Sequence, residues 1–146
     1  MALRMTPNFK VNDLLKNAKE RIKALDTALL DQLKQVGEQF VADARSTNTY
    51  TDRTRNLRGS IGYVIYKSGR KVFGDFTGTA EGRATGLALA KDVAEKSRGY
   101  VLVVVAGMNY AAAVESKGFD VLTGSSQVAE QNLKKALKKI MNRARP

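Results

Sequence analysis

The sequence predicts an α+β fold in which a mainly antiparallel sheet packs against a long N-terminal helix and a C-terminal helix. Three observations point there. An apolar stripe at helical spacing covers residues 11–45, β-branched and aromatic runs lie between 60 and 106, and a basic amphipathic stretch covers 125–143. A doubly wound parallel sheet would need regular alternation of strands and helices, which this order lacks. The 146 residues, 43% hydrophobic, suit one core, so residues 1–146 read as a single domain with the sheet and an inserted short helix across 60–122.

The first element is the longest. Leu15, Ala18, Ile22, Leu25, Leu29, Leu33, Val36 and Phe40 recur at steps of three and four, which places them on one face of a helix. Asn12 suits its N-cap, and Pro7 keeps the preceding segment extended or turned. At 1.5 Å per residue such a helix reaches about 50 Å, more than a domain of this size needs. It is expected either to bend near Gly37 or to pack in part on another subunit.

Residues 46–59 have loop composition. Ser60–Lys67 then alternates with Ile61, Tyr63 and Ile65 on one face. Ser68-Gly69 supplies a turn, and 71–76 a partner strand, so a hairpin is expected. Residues 77–86, rich in Gly, Thr and Ala, read as a surface loop, followed by a short helix over 84–97 using Leu87, Ala90 or Ala94, and Val93. Tyr100–Ala106 is continuously apolar, so it is expected to be a central strand covered on both faces. Residues 109–117 read as a strand or helical turn and 119–122 as a short extended piece. Ser125 or Ser126 caps the last helix, with Val128, Leu133, Ala136 or Leu137, and Ile140 on its apolar face.

Lys and Arg number 25 against 14 acidic residues, a formal charge of +11, which draws polyanions or an acidic protein face. There is no cysteine and no histidine, so thiolate sites, disulfides and imidazole proton transfer are excluded. The glycines at 78, 82 and 86 match neither a Walker A loop nor a dinucleotide fingerprint. Asp52, Asp75, Glu81, Asp92, Glu95, Glu115 and Asp120 form no nuclease or glycosidase signature. The chain is therefore expected not to be an enzyme, to use no cofactor and no metal, and to have no membrane segment, since its longest apolar run is far below the roughly 18 residues a span requires.

Candidate contact residues fall in three groups. Arg53, Arg55 and Arg58 sit in a polar stretch where bidentate donors suit phosphate or inter-subunit ion pairs. Glu115 follows the apolar run 110–114, where a carboxylate needs a partner; an ion pair with an arginine is favoured over catalysis. Lys134, Lys135, Lys138 and Lys139 concentrate charge on one helix face as DNA-facing candidates, although no aromatic residues interleave to stack bases.

Two segments carry a resemblance. Tyr50-Thr-Asp-Arg-Thr-Arg-Asn-Leu-Arg-Gly-Ser-Ile61, leading into a hairpin, resembles the loop-into-strand motif of small siphophage head–tail connector, or tail-completion, proteins. Asn109-Tyr-Ala-Ala-Ala-Val-Glu-Ser-Lys-Gly-Phe-Asp-Val-Leu122 is similar to that family's later Tyr-Ala-x-x-Val-Glu-x-x-Gly segment. Arg55 stands where the family often has Gly, a departure at its tight turn. The resemblance implies a virion structural protein, present in the host cytoplasm during assembly. It would form a ring, often hexameric, between adjacent head-connector and tail-tube proteins, in transient contact with genomic DNA. The competing expectation from charge alone is a stand-alone nucleic-acid-binding protein.

Overall fold

The computed structural model describes residues 10–46, 59–76, 80–107 and 123–144, the side chains of 123–126 and 144 excepted. The segments expected at 109–117 and 119–122 lie outside the described residues. Helix α1 (Val11–Ser46) is followed by strands β1 (Ile61–Lys67) and β2 (Arg70–Asp75), helix α2 (Ala80–Glu95), strand β3 (Tyr100–Ala106) and helix α3 (Thr123–Ala144). The fold is α+β: an antiparallel sheet of order β2-β1-β3, with α1 and α3 against one face and α2 against the other.

Helix α1 runs unbroken for 36 residues. It starts two residues earlier than an Asn12 cap would allow, because the Lys10 carbonyl accepts from the amides of Asp13 and Leu14 at 3.0 and 3.3 Å. Asp13 in the first turn and Arg45 in the last complement the helix dipole. The expected bend at Gly37 gives way to a different role. A Cβ there would come within 2.5 Å of the Tyr63 ring, so the missing side chain lets the sheet approach the helix backbone.

The hairpin forms as its sequence predicts. Ser68 (φ 50°) and Gly69 (φ 77°) both take the left-handed conformation that a two-residue turn requires. Lys67 pairs with Arg70, and a bulge shifts the register between Ile65 and Tyr66. Ile61, Tyr63 and Ile65 point to α1, where they pack with Leu33, Phe40, Val41 and Ala44. Val64 and Tyr66 point the other way, to Ala90, Ala94, Val103 and Val105.

Four further sequence expectations are corrected by the structure. Within the described sheet, β1 is the central strand and β3 lies at its edge, paired from Ile61↔Ala106 to Lys67↔Tyr100. The run at β3 is continuously apolar because helices cover both its faces, Leu102 and Val104 toward α1, Val101, Val103 and Val105 toward α2. That does not require a strand on each side. The second correction is the loop assigned to 77–86, whose residues from Ala80 on belong to α2. Gly82, Gly86, Ala90 and Ala94, at every fourth position, form its buried face. Each glycine costs a helix roughly 1 kcal/mol in propensity. At Gly86 the gain is close approach, since a Cβ would lie 2.7 Å from the Phe76 ring and 3.0 Å from Val105. Val93, expected to be buried, is exposed. So is Val128 on α3, where Ala129 and Leu133 reach the core instead.

Candidate functional site

Between Leu29 and Ala44 the apolar stripe of α1 is covered, but toward the N-terminus the cover ends. Val11 and Ile22 are each 66% exposed, and Leu14, Leu15 and Leu25 also face solvent. Among the described residues, the body packs on only part of the helix, leaving an arm that presents apolar side chains. Helix α3 runs along α1, and at the base of the arm the two helices form an open apolar cleft. It is lined by Ile22, Leu25 and Leu29 from α1 and Leu137, Ile140 and Met141 from α3, with Asp26 at its edge. Met141 is itself 63% exposed.

Asp26 does not leave a bare charge beside this cleft. Its carboxylate meets Lys67 Nζ at 2.5 Å, and the same ammonium lies 4.9 Å from the centroid of the Tyr100 ring. The hydrogen bond from Lys67 holds the Asp26 carboxyl below the ordinary carboxylate range, with Tyr100 adding to it, and Asp26 in turn raises Lys67. Burial pushes the Tyr100 hydroxyl up. This cluster clips the middle of α1 to the hairpin end of the sheet. Sequence reasoning missed it, because its three members lie far apart in the chain and no spacing links them.

Farther along the α1–α3 seam the lining turns polar. Gln32, Gln35 and Gln39 of α1 face Asn132, Lys135 and Lys139 of α3 across a groove with no carboxylate among its lining residues. The four candidate lysines are all exposed, yet they do not act as one set. Lys135 and Lys139, one turn apart, line the groove. Lys134 and Lys138 belong to the neighbouring stripe, where Lys134 binds Glu130 at 2.6 Å and so lowers the Glu130 carboxyl. Gln39 donates to Asp43 at 2.8 Å and Gln32 to Gln35 at 3.3 Å, so the amides are already oriented along the groove.

Deeper polar groups serve the fold. Arg45 Nη2 donates to the Ile61 carbonyl at 2.6 Å, tying the end of α1 to the start of β1. Tyr63, packed 5.9 Å from the Phe73 ring, has its hydroxyl near Glu38, and burial first, then Glu38, push its pKa up to about 12. Arg53, Arg55, Arg58 and Glu115 lie outside the described residues. Among the described residues, no cluster of acidic side chains is arranged to hold a metal, and no helix is long and apolar enough to cross a membrane.

Fold and site together define a three-layer α+β protein with an apolar helical arm and a basic, amide-lined seam. No protein-family model, curated protein or solved structure matches the chain.

Proposed function

We propose that the chain is a structural assembly protein, a subunit of a ring at the neck or tail terminus of a tailed phage, joining the head connector to the tail. The observation that carries the assembly part is the arm: a stripe of Val, Leu and Ile left open on a helix too long for its own body. The phage part rests on the resemblance of residues 50–61 and 109–122 to head–tail connector proteins. In this reading Arg53, Arg55, Arg58 and Glu115 make subunit or partner contacts, and a ring multiplies the charge of +11 toward acidic neighbours or the passing genome.

Light scattering across a concentration and salt series, with and without tail-tube protein, tests this reading. A discrete oligomer, or a ring that forms on contact with the partner, is the expected result. A monomer that ignores neck and tail proteins at every concentration sinks it.

A second reading, a stand-alone nucleic-acid-binding protein, is favoured by the carboxylate-free groove holding Lys135 and Lys139. It predicts DNA affinity that falls steeply with salt as counterions are released. It further predicts that neutralising Lys135 and Lys139 flattens that slope more than neutralising Lys134, which Glu130 already engages.

A further inference from the structure

The groove along the α1–α3 seam has two unlike walls. On the α3 side stand Lys135 and Lys139, four residues apart and so about 6 Å apart along the helix axis. Among the described residues neither meets a carboxylate, whereas the neighbouring Lys134 is held by Glu130. On the α1 side the amides are polarised by their own contacts. Gln32 donates to the Gln35 side-chain oxygen, which leaves the Gln35 nitrogen to donate. Gln39 donates to Asp43, which leaves the Gln39 oxygen to accept. That wall therefore offers a donor and an acceptor one helical turn apart. Between the walls the lining is small and apolar, the buried Val36 and Ala136.

Each of these features matches one part of an extended peptide. The N–H and C=O of a single strand residue point to the same side, so one stretch of main chain meets both Gln35 and Gln39. Its side chains then alternate between the floor and the rim. One small apolar side chain lies over Val36 and Ala136. The two on either side of it, about 7 Å apart, rise to the rim at the spacing of Lys135 and Lys139. A phosphate backbone fits less well. Its oxygens only accept, so the Gln39 oxygen finds no donor there, and no aromatic side chain lines the groove to stack a base.

We propose that the α1–α3 groove binds an extended acidic segment of another protein, with two carboxylates two residues apart and a small apolar residue between them. The segment does not come from a second copy of this chain. Among its 14 acidic residues, no two stand two positions apart. In the assembly reading such a segment belongs to an acidic neighbour of the ring, but the chemistry of the groove does not depend on that reading.

Fluorescence anisotropy of the full chain with two capped, labelled peptides tests this. One carries Glu-Ala-Glu between glycines, the other the same residues as Glu-Glu-Ala. The alternating peptide binds more tightly by about threefold, the ordinary worth of one exposed ion pair. Lys135→Gln combined with Lys139→Gln removes two such pairs and weakens its binding by about tenfold. Gln35→Ala combined with Gln39→Ala weakens it as well. Lys134→Gln combined with Lys138→Gln removes the same charge from the neighbouring stripe and changes the affinity by less than about twofold. All six side chains are exposed, so the fold survives each change by circular dichroism.

Equal affinity for the two peptides, equal losses from the two lysine pairs, or no binding at millimolar peptide overturns the proposal. So does a DNA duplex that displaces the peptide and depends on Lys135 and Lys139 but not on Gln35 and Gln39, an outcome that assigns the groove to phosphates. A ring formed with tail-tube protein by a chain that ignores the peptides overturns the groove proposal alone. Selective binding of the alternating peptide by a chain that stays monomeric supports the groove and removes the assembly reading.

Discussion

Between Leu29 and Ala44, α1 lays its stripe against the sheet and α3, whereas between Val11 and Leu25 the same kind of stripe faces solvent. Apolar content alone does not distinguish the halves. What differs, among the described residues, is the cover: the sheet lies against one end of α1 and not against the other. An amphipathic pattern thus reports that a helix has a partner and is silent on whether the partner belongs to the same chain. Side chains in the covered half are expected to set the stability of the fold, and those in the arm to set association.

The largest effect is expected at Phe40, which is buried in the main core with Tyr63 and Ile65. Phe40→Ala removes a large ring from a close-packed site and should cost about 3–5 kcal/mol in urea or thermal unfolding. A loss under 1 kcal/mol would mean that the covered half of α1 is not held against the sheet as described. Gly37→Ala comes next, at about 1–3 kcal/mol, because the added methyl meets the Tyr63 ring and the neighbouring structure must shift. Were Gly37 merely a weak point in the helix, the same change would stabilise the protein, so the sign of the effect decides between a packing glycine and a hinge.

How far the sequence reached follows the same division. Periodicity within a segment was enough for α1, the hairpin, the strand at β3 and the basic helix, because local alternation and helical spacing are themselves the signal. It failed at α2, where Gly82 and Gly86 look like loop residues until the sheet that requires their small size is in place. It also put β3 at the centre, whereas β3 lies at the edge of the described sheet, since an apolar run records covered faces and not neighbouring strands. At the candidate site, the four lysines of α3 were legible as a charged face. Their division into a groove pair and an outer stripe was not, because that depends on where α1 lies. Nor could spacing reveal the Asp26–Lys67–Tyr100 clip, which forms only once three elements meet.

The pH response of that clip sharpens the comparison at the boundary between the two halves. The folded-state pKa of Asp26 is depressed by the Lys67 hydrogen bond, so its contribution is present above the ordinary aspartate pKa and is lost as pH falls through the lowered one. Both side chains are close to half exposed, 45% for Lys67 and 43% for Asp26, so the effect is small and screened by salt. Asp26→Asn should therefore lower stability slightly at neutral pH and leave it unchanged in strong acid, as measured by thermal unfolding across an acid series. At the alkaline end, Tyr63 has its pKa raised to about 12 by burial, so folding holds its hydroxyl protonated. Stability is then lost as pH rises from the ordinary tyrosine value toward 12, and ultraviolet titration should show Tyr63 ionising late, with Tyr66 and Tyr100 also raised by burial.

The smallest effect on the fold is expected in the arm. Leu15 is about half exposed and packs on no core residue among the described residues, and alanine is the better helix former, so Leu15→Ala should shift the stability of the dilute protein by less than about 0.5 kcal/mol. The same substitution should weaken assembly, which makes it the counterpart of Phe40→Ala: stability kept and assembly impaired in one, stability impaired in the other. A marked loss of stability in the dilute Leu15→Ala variant would show that the arm folds back onto its own body. Helicity supplies an independent reading, because an unpartnered helical arm is marginal in water. If the arm gains its order on assembly, the helical circular dichroism signal per residue should rise with protein concentration in the wild type and stay flat in Leu15→Glu.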